Sequence, residues 1–226
     1  MKMKKEETIQ EIQQGLMQYL VEGMQTNLSR RNKLKDFTQE EMYKLIGLSY
    51  KNQVILTNKK FVMNEDIKNK LELIAKFLTS EESRDAILLH GFIGAGKTLM
   101  AEAICNVIDI INRRGNNGLG NPIKKIKALE VGRMAINNLK EFEDLKKTKL
   151  LFIDDLGVEP TIIKTYGNEI SPLTELIFER QEKKMFLILT SNLSIKQMQE
   201  RYGDRFTDRI NEYCCCIAFT NESFRK

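Results

Sequence analysis

The chain has 226 residues, 42% of them hydrophobic and 30% charged, with a formal net charge of +5. That balance describes a folded protein rather than a disordered one, and the length suits one well-packed domain with an appendage or two small domains. No apolar run is long enough to span a bilayer, and the basic start MKMKKEETIQ leads into polar helix-like sequence rather than a secretory signal, so a cytoplasmic protein without membrane contact is expected.

In chain order, Ile9, Ile12, Leu16 and Leu20 fall at helical spacing. The charged stretch LSRRNKLKDF interrupts this pattern. FTQEEMYKLIGL restarts it, with Thr38 and Glu41 in capping-box positions, and QVILT is the one strand-like run nearby. Residues 1–60 therefore read as a small helical region with a basic middle, which either packs on the main domain or binds a partner. Behind a candidate cap at Asn64, Ile67, Leu71, Ile74 and Leu78 form one helical stripe.

Strand-like and helix-like segments then alternate. AILLH is followed by a glycine loop and the apolar helix TLMAEAICNVIDIIN; RRGNNGLGNP is a loop. IKKIKALEV is a candidate strand, RMAINNLKEFEDLKK a short helix, and KLLFI a buried-type strand. SPLTELIFERQEKK opens a helix on Ser-Pro, MFLILTS is another buried strand, and SIKQMQERYG begins with Ser194 and Gln197 in a second capping box. YCCCIAF closes as a terminal strand whose thiols are expected to be buried. His90 reads as a strand-end residue, and no Cys-x-x-Cys pair gives metal-ligand spacing. The alternation predicts a doubly wound α/β domain with a mostly parallel sheet.

GFIGAGKT, residues 91 to 98, fits G-x-x-x-x-G-K-[ST] and stands between a strand and a helix, as a phosphate loop requires. Gly91, Gly94 and Gly96 let the backbone curl around phosphate oxygens, Lys97 reaches the β- and γ-phosphates, and the Thr98 hydroxyl joins a magnesium shell. LLFIDDLG ends a strand in Asp154 and Asp155, a carboxylate for magnesium and one that orients or deprotonates an attacking water. FLILTSN delivers Asn192 to the carboxyl edge of the sheet, where such folds bind ligands. In GDRFTDRI, Arg205 and Arg209 lie one helical turn apart and share a face.

Together, GFIGAGKT, LLFIDDLG, LTSNLS, GDRFTDRI and the terminal SFRK resemble the AAA+ ATPases, and more narrowly the DnaC-like bacterial replicative-helicase loaders and the related IstB-like transposition helper ATPases. The resemblance implies a P-loop fold of the AAA+ (ASCE) type, with a mostly parallel five-stranded sheet flanked by helices. Residues 1–60 would be the helical N-terminal region and 61–226 an ATPase domain without a separate C-terminal lid. ATP or ADP with Mg2+ would be the cofactors. Gly91, Phe92, Ile93, Gly94, Ala95, Gly96, Lys97, Thr98 and Leu99 would hold the nucleotide, with Thr98 and Asp154 serving the metal. Asp155 stands where many AAA+ proteins carry Glu, and its shorter side chain implies slow turnover. Asn192 matches sensor 1, and Arg225 the sensor 2 arginine. Arg209 matches the arginine finger that enters a neighbouring subunit's site, with Arg205 supporting it or acting in its place.

The implied partners are a replicative helicase, gripped through residues 1–60, single-stranded DNA, and further copies of the chain in an ATP-dependent assembly. Loaders carry an extra DNA-contacting helix before the strand corresponding to KLLFI, and here the intervening stretch is short. An IstB-like role on duplex DNA, or a nucleotide-gated adaptor with little turnover, are the other functions the pattern admits.

Overall fold

Four helices begin where a short polar side chain, Thr38, Asn64, Asn138 or Ser194, accepts a backbone N–H left unpaired at a helix start. In the computed structural model, which describes residues 34, 37–80, 84–115, 122–165 and 168–220, Thr38 and Glu41 form the expected capping box at the head of α1 (Gln39–Leu56). The Asn64 side chain accepts from the Ile67 amide at 2.8 Å and opens α2 (Glu65–Thr79). The helix expected around Ile9 to Leu20 lies outside the described residues, as does Arg225. QVILT is not a strand: Gln53 to Leu56 continue α1, because a short β-branched run carries too little signal against an established helix.

The chain falls into two compact units. One contains α1, α2 and, from Leu99 onward, α3 (Lys97–Gly115). Its interior includes Met42, Leu45, Ile46 and Tyr50 of α1, Leu71, Ile74 and Leu78 of α2, and Met100, Ile104 and Ile108 of α3. Buried Ser49 satisfies its hydroxyl by donating to the Ala103 carbonyl at 3.1 Å.

The other unit runs from residue 83 to Thr98 and from Ile123 onward. It holds a five-stranded sheet in the order β2–β3–β6–β1–β7, in which every pairing is parallel. The strands are β1 (Ala86–Gly91), β2 (Lys124–Lys127), β3 (Leu151–Leu156), β6 (Leu187–Ser191) and β7 (Cys214–Phe219). Continuous apolar runs in β1, β3 and β6 are what a sheet covered on both faces demands. Leu88, Ile153 and Leu189 pack in one core with Val131, Phe142, Leu176, Phe206 and Ile210 from α4 (Ala128–Asn137), α5 (Leu139–Lys146), α6 (Pro172–Glu182) and α8 (Asp204–Tyr213). Helix α7 (Ile195–Tyr202) starts with the expected Ser194–Gln197 capping box. No described helix is long and apolar enough to cross a membrane.

Two boundaries differ from the sequence reading. The strand beginning IKKIK stops at Lys127, and ALEV instead starts α4, so its apolar residues serve a helix stripe. RMAINNLKEFEDLKK divides at Asn138, whose side chain accepts from the Glu141 amide and caps α5. Two helices thus fill the stretch that looked too short for an extra one. A hairpin of β4 (Ile163–Thr165) and β5 (Asn168–Ile170) has no counterpart in the sequence reading, because three-residue strands leave no periodicity to detect.

Arg180 is fully buried in α6 and donates to the carbonyls of Thr148 (2.6 Å), Lys149 (3.2 Å) and Phe186. It ties the turn before β3 to the turn before β6. Burial lowers its guanidinium pKa, and these carbonyls satisfy the two terminal nitrogens, while the buried Nε has no partner among the described residues. Arg180→Met is expected to destabilise the protein by about 3 kcal/mol, since it leaves buried carbonyls unpaired. Urea unfolding of the two proteins checks this.

Candidate functional site

The glycine loop follows β1 at the carboxyl edge of the sheet. Gly91 has φ +124°, and a Cβ there would stand 2.3 Å from the Phe219 carbonyl oxygen. The Phe92 amide donates to that same oxygen at 2.9 Å, so the end of β7 clamps the loop entrance. Gly91→Ala is expected to distort this clamp and weaken nucleotide binding more than Ala95→Gly does, as competition with a fluorescent nucleotide would show. Gly94 and Gly96 also take positive φ, and α3 starts immediately after them, aiming its first free amides at an incoming anion.

Lys97 is buried, and its ammonium donates to the carbonyls of Gly91 at 3.0 Å and Phe92 at 2.7 Å. A cation held against loop carbonyls is positioned for phosphate oxygens entering the same loop. Phe92 and Ile93 are exposed, Ala95 is buried and Leu99 half-buried. His90 is half-buried in β1. Burial, and then the Lys97 charge, lower its pKa and favour neutral imidazole.

Strand order explains the rest of the site. β6 lies between β1 and β3, so its last residues stand between the glycine loop and the paired carboxylates. The Thr98 hydroxyl donates to Asp154 Oδ1 at 3.0 Å, joining two hard oxygen ligands of the kind Mg2+ selects. Thr190 of β6 donates its hydroxyl to the same Asp154 oxygen and accepts the Asp155 amide at 3.0 Å. The β3–β6 register shifts between Ile153 and Leu156: Ile153 pairs with Leu189, but Leu156 with Ser191. Asp155 lies in this bulge with φ +60°, a left-handed conformation uncommon for a residue with a side chain. Such local strain concentrates at functional sites, where surrounding contacts hold it in place. Here the bulge re-aims Asp155, and Asn192 Nδ2 lies 3.5 Å from its Oδ1. The Ser191 hydroxyl donates to the Leu156 carbonyl at 2.6 Å and fastens the two strand ends together.

The fold thus gathers Lys97, Thr98, Asp154, Asp155 and Asn192 at one edge. Arg205 and Arg209 are placed elsewhere, on α8 over the ring of Phe178 from α6. Their guanidinium carbons stand 5.6 and 4.6 Å from its centroid. Arg209 donates to Gln181 Oε1 at 3.1 Å and lies 3.5 Å from Glu182 Oε1, while Arg205 is exposed. None of their contacts among the described residues reaches the glycine loop. Thr190 is the participant the sequence reading left unassigned. Its only signal was its place at the end of the strand leading to Asn192, and the role becomes visible once β6 is seated beside β3.

A family model described as IstB-like ATP binding protein matches residues 11–226. Among solved structures, a crystal structure of DnaI is similar with a TM-score of 0.52 and 19% identity, covering 73% of this chain and 90% of that one. The DnaC helicase loader has a TM-score of 0.52 and 18% identity, covering 76% and 98%. The replication initiator DnaA bound to AMPPCP and single-stranded DNA has a TM-score of 0.52 and 18% identity, covering 74% and 50%. A search of curated proteins found no significant match. With a glycine loop, paired strand-end acids and a polar strand between them on a β2–β3–β6–β1–β7 sheet, and a family match over nearly its whole length, the chain belongs to the IstB-like ATP-binding proteins.

Proposed function

We propose that the protein hydrolyses ATP slowly and in an assembly-dependent way, and that it acts as a loader of a replicative DNA helicase or a related replication accessory ATPase. The observation that carries the hydrolytic part is the hydrogen-bonded set Thr98–Asp154–Thr190–Asp155, completed by Asn192. Lys97 exchanges its loop carbonyls for β- and γ-phosphate oxygens when the triphosphate enters. Thr98 and Asp154 are the residues that would hold Mg2+, which supplies charge neutralisation between the phosphates. Asp155 orients the attacking water or takes its proton, and Asn192 fixes the carboxylate and contacts the water or the γ-phosphate.

Arg209 acts on the site of an adjacent copy, with Arg205 as its support or its substitute. A guanidinium supplied in trans neutralises charge that develops in the transition state, and it makes turnover depend on assembly. Arg225 is proposed to touch the phosphates within its own subunit.

The loader reading assigns residues 1–60 to the helicase and 61–226 to the ATPase domain. Exposed Arg133, Ile136, Leu139 and Lys140 around the α4–α5 junction, beside the exposed acids Glu130 and Glu141, are the cationic and apolar side chains proposed to meet single-stranded DNA. A pull-down with ATP present tests this: the full chain should retain a hexameric helicase, and a version lacking residues 1–60 should not. Equal retention by both would contradict the reading. The family match favours a second reading, an IstB-like transposition helper on duplex DNA. That reading requires ATP-dependent filaments on double-stranded DNA, so an absence of duplex binding would exclude it. DNA-insensitive, negligible turnover would instead leave a nucleotide-gated adaptor.

A further inference from the structure

We propose that Glu159 is a positioning residue whose buried carboxylate, bonded at one oxygen by the Gly157 amide and at the other by the Tyr202 hydroxyl, couples a subunit's own carboxylate loop to the arginine-bearing helix it presents to its neighbour.

Glu159 lies in the turn that leaves β3 directly after Asp154 and Asp155, and it is 1% exposed. A buried carboxylate needs hydrogen bonds from both sides to be tolerated, and it has them. Its Oε2 accepts the Gly157 amide at 2.9 Å, tightening the turn, and its Oε1 accepts the hydroxyl of Tyr202, the last residue of α7. Arg201 donates to the Glu159 backbone carbonyl, adding a second tie between the same two segments. The link continues through aromatic packing. The Tyr202 ring stacks on Phe206 of α8, centroids 4.4 Å apart, and Phe206 lies 6.3 Å from Phe178. Arg205 and Arg209 both sit over Phe178.

A shift of the turn after β3 as Asp154 changes its ligands therefore moves one end of a connected series: Gly157, Glu159, Tyr202, Phe206 and the arginine face. The middle of that series is a carboxylate with both oxygens engaged, so it passes on a displacement rather than absorbing it. The consequence is directional: a subunit whose own loop holds nucleotide sets its α8 for the adjacent site, and one whose loop is empty does not.

This inference rests on the reading in which Arg209 acts in trans, and its test separates the two. The acceptor is the Arg209→Ala protein, which keeps its glycine loop but lacks the arginine. Wild-type, Tyr202→Phe or Glu159→Gln protein is added as a minority donor, and the gain in ATP turnover is measured. Tyr202→Phe keeps the ring stacked on Phe206 and removes only the bond to Glu159. It is expected to activate the acceptor about threefold to tenfold less than wild type, the range typical of residues that modulate coupling without touching ligand. Its own affinity for a non-hydrolysed ATP analogue should stay within about twofold of wild type. A residue needed only for folding would instead lower the melting temperature and analogue affinity together. If both variants activate the acceptor as well as wild type does, Glu159 does not couple these elements. If one variant is unstable, the other decides, since Tyr202→Phe removes the hydroxyl and Glu159→Gln leaves only one acceptor oxygen where the Gly157 amide and the Tyr202 hydroxyl now use two. If wild-type protein itself fails to activate the acceptor, the trans reading falls and this inference with it.

Discussion

Arg209→Ala should reduce ATP turnover of the assembled protein by about 10³-fold while leaving nucleotide affinity near that of wild type. Arg209 makes its contacts on the side of α8 that faces α6, with Gln181, Glu182 and the Phe178 ring, and none on the glycine loop of its own chain among the described residues. Removing it therefore subtracts nothing from the nucleotide's own contacts. On the proposed trans role, what would be lost is positive charge near the equatorial oxygens of the transferring phosphoryl group in a neighbouring site, an interaction that strengthens only as the transition state is reached. Arg209 is not pinned by a buried ion pair. It lies over an aromatic ring beside a largely exposed glutamate, an arrangement it can leave at modest cost. Lysine at position 209 should rescue little, because a compact ammonium lacks the planar fork that spans two phosphate oxygens. Steady-state turnover alongside analogue titration checks both parts. A parallel loss of turnover and affinity would place Arg209 within its own subunit's site or in the fold itself.

Lys97→Ala should weaken binding of ATP itself by about 10- to 100-fold, the value of charge-assisted hydrogen bonds from one ammonium. Lys97 is buried, with its ammonium turned onto the Gly91 and Phe92 carbonyls. The alanine variant loses that bracing as well as the phosphate contact, so the loop is both less charged and less ordered. Isothermal titration with a non-hydrolysed analogue and Mg2+ reads the change directly, and circular dichroism confirms that α3 persists. Binding unchanged by the substitution would mean that the nucleotide does not use this loop.

The glycine loop and the acids after β3 were legible in the sequence because each is a short, contiguous pattern attached to a continuous apolar strand. The capping boxes at Thr38 and Ser194 were legible for the same reason, since both partners sit within three residues of each other. What the sequence withheld depends on neighbours distant in the chain. Thr190 could be assigned only after β6 was seated beside β3, and the bulge at Asp155 is a matter of register between those strands. ALEV reads as the end of a strand, but β2 ends at Lys127, where the Glu130 side chain accepts the Lys127 amide and α4 starts. Nothing in SPLTELIFERQEKK marks Arg180 as buried, yet it is, and it holds two turns together through carbonyls that carry no side-chain signature.

Reconstitution from two defective copies is the most direct trial. Asp155→Asn protein keeps its glycine loop and Arg209 but lacks the carboxylate proposed to orient the attacking water, and Arg209→Ala protein is expected to bind ATP but has no arginine to lend. Each should be nearly inactive alone, and mixing them should restore ATP turnover well above the sum of the two, because an intact carboxylate then meets an intact guanidinium across a subunit boundary. Turnover that stays at the sum at every mixing ratio, in samples shown by light scattering to co-assemble, would mean that the reactive pocket is completed without a neighbour.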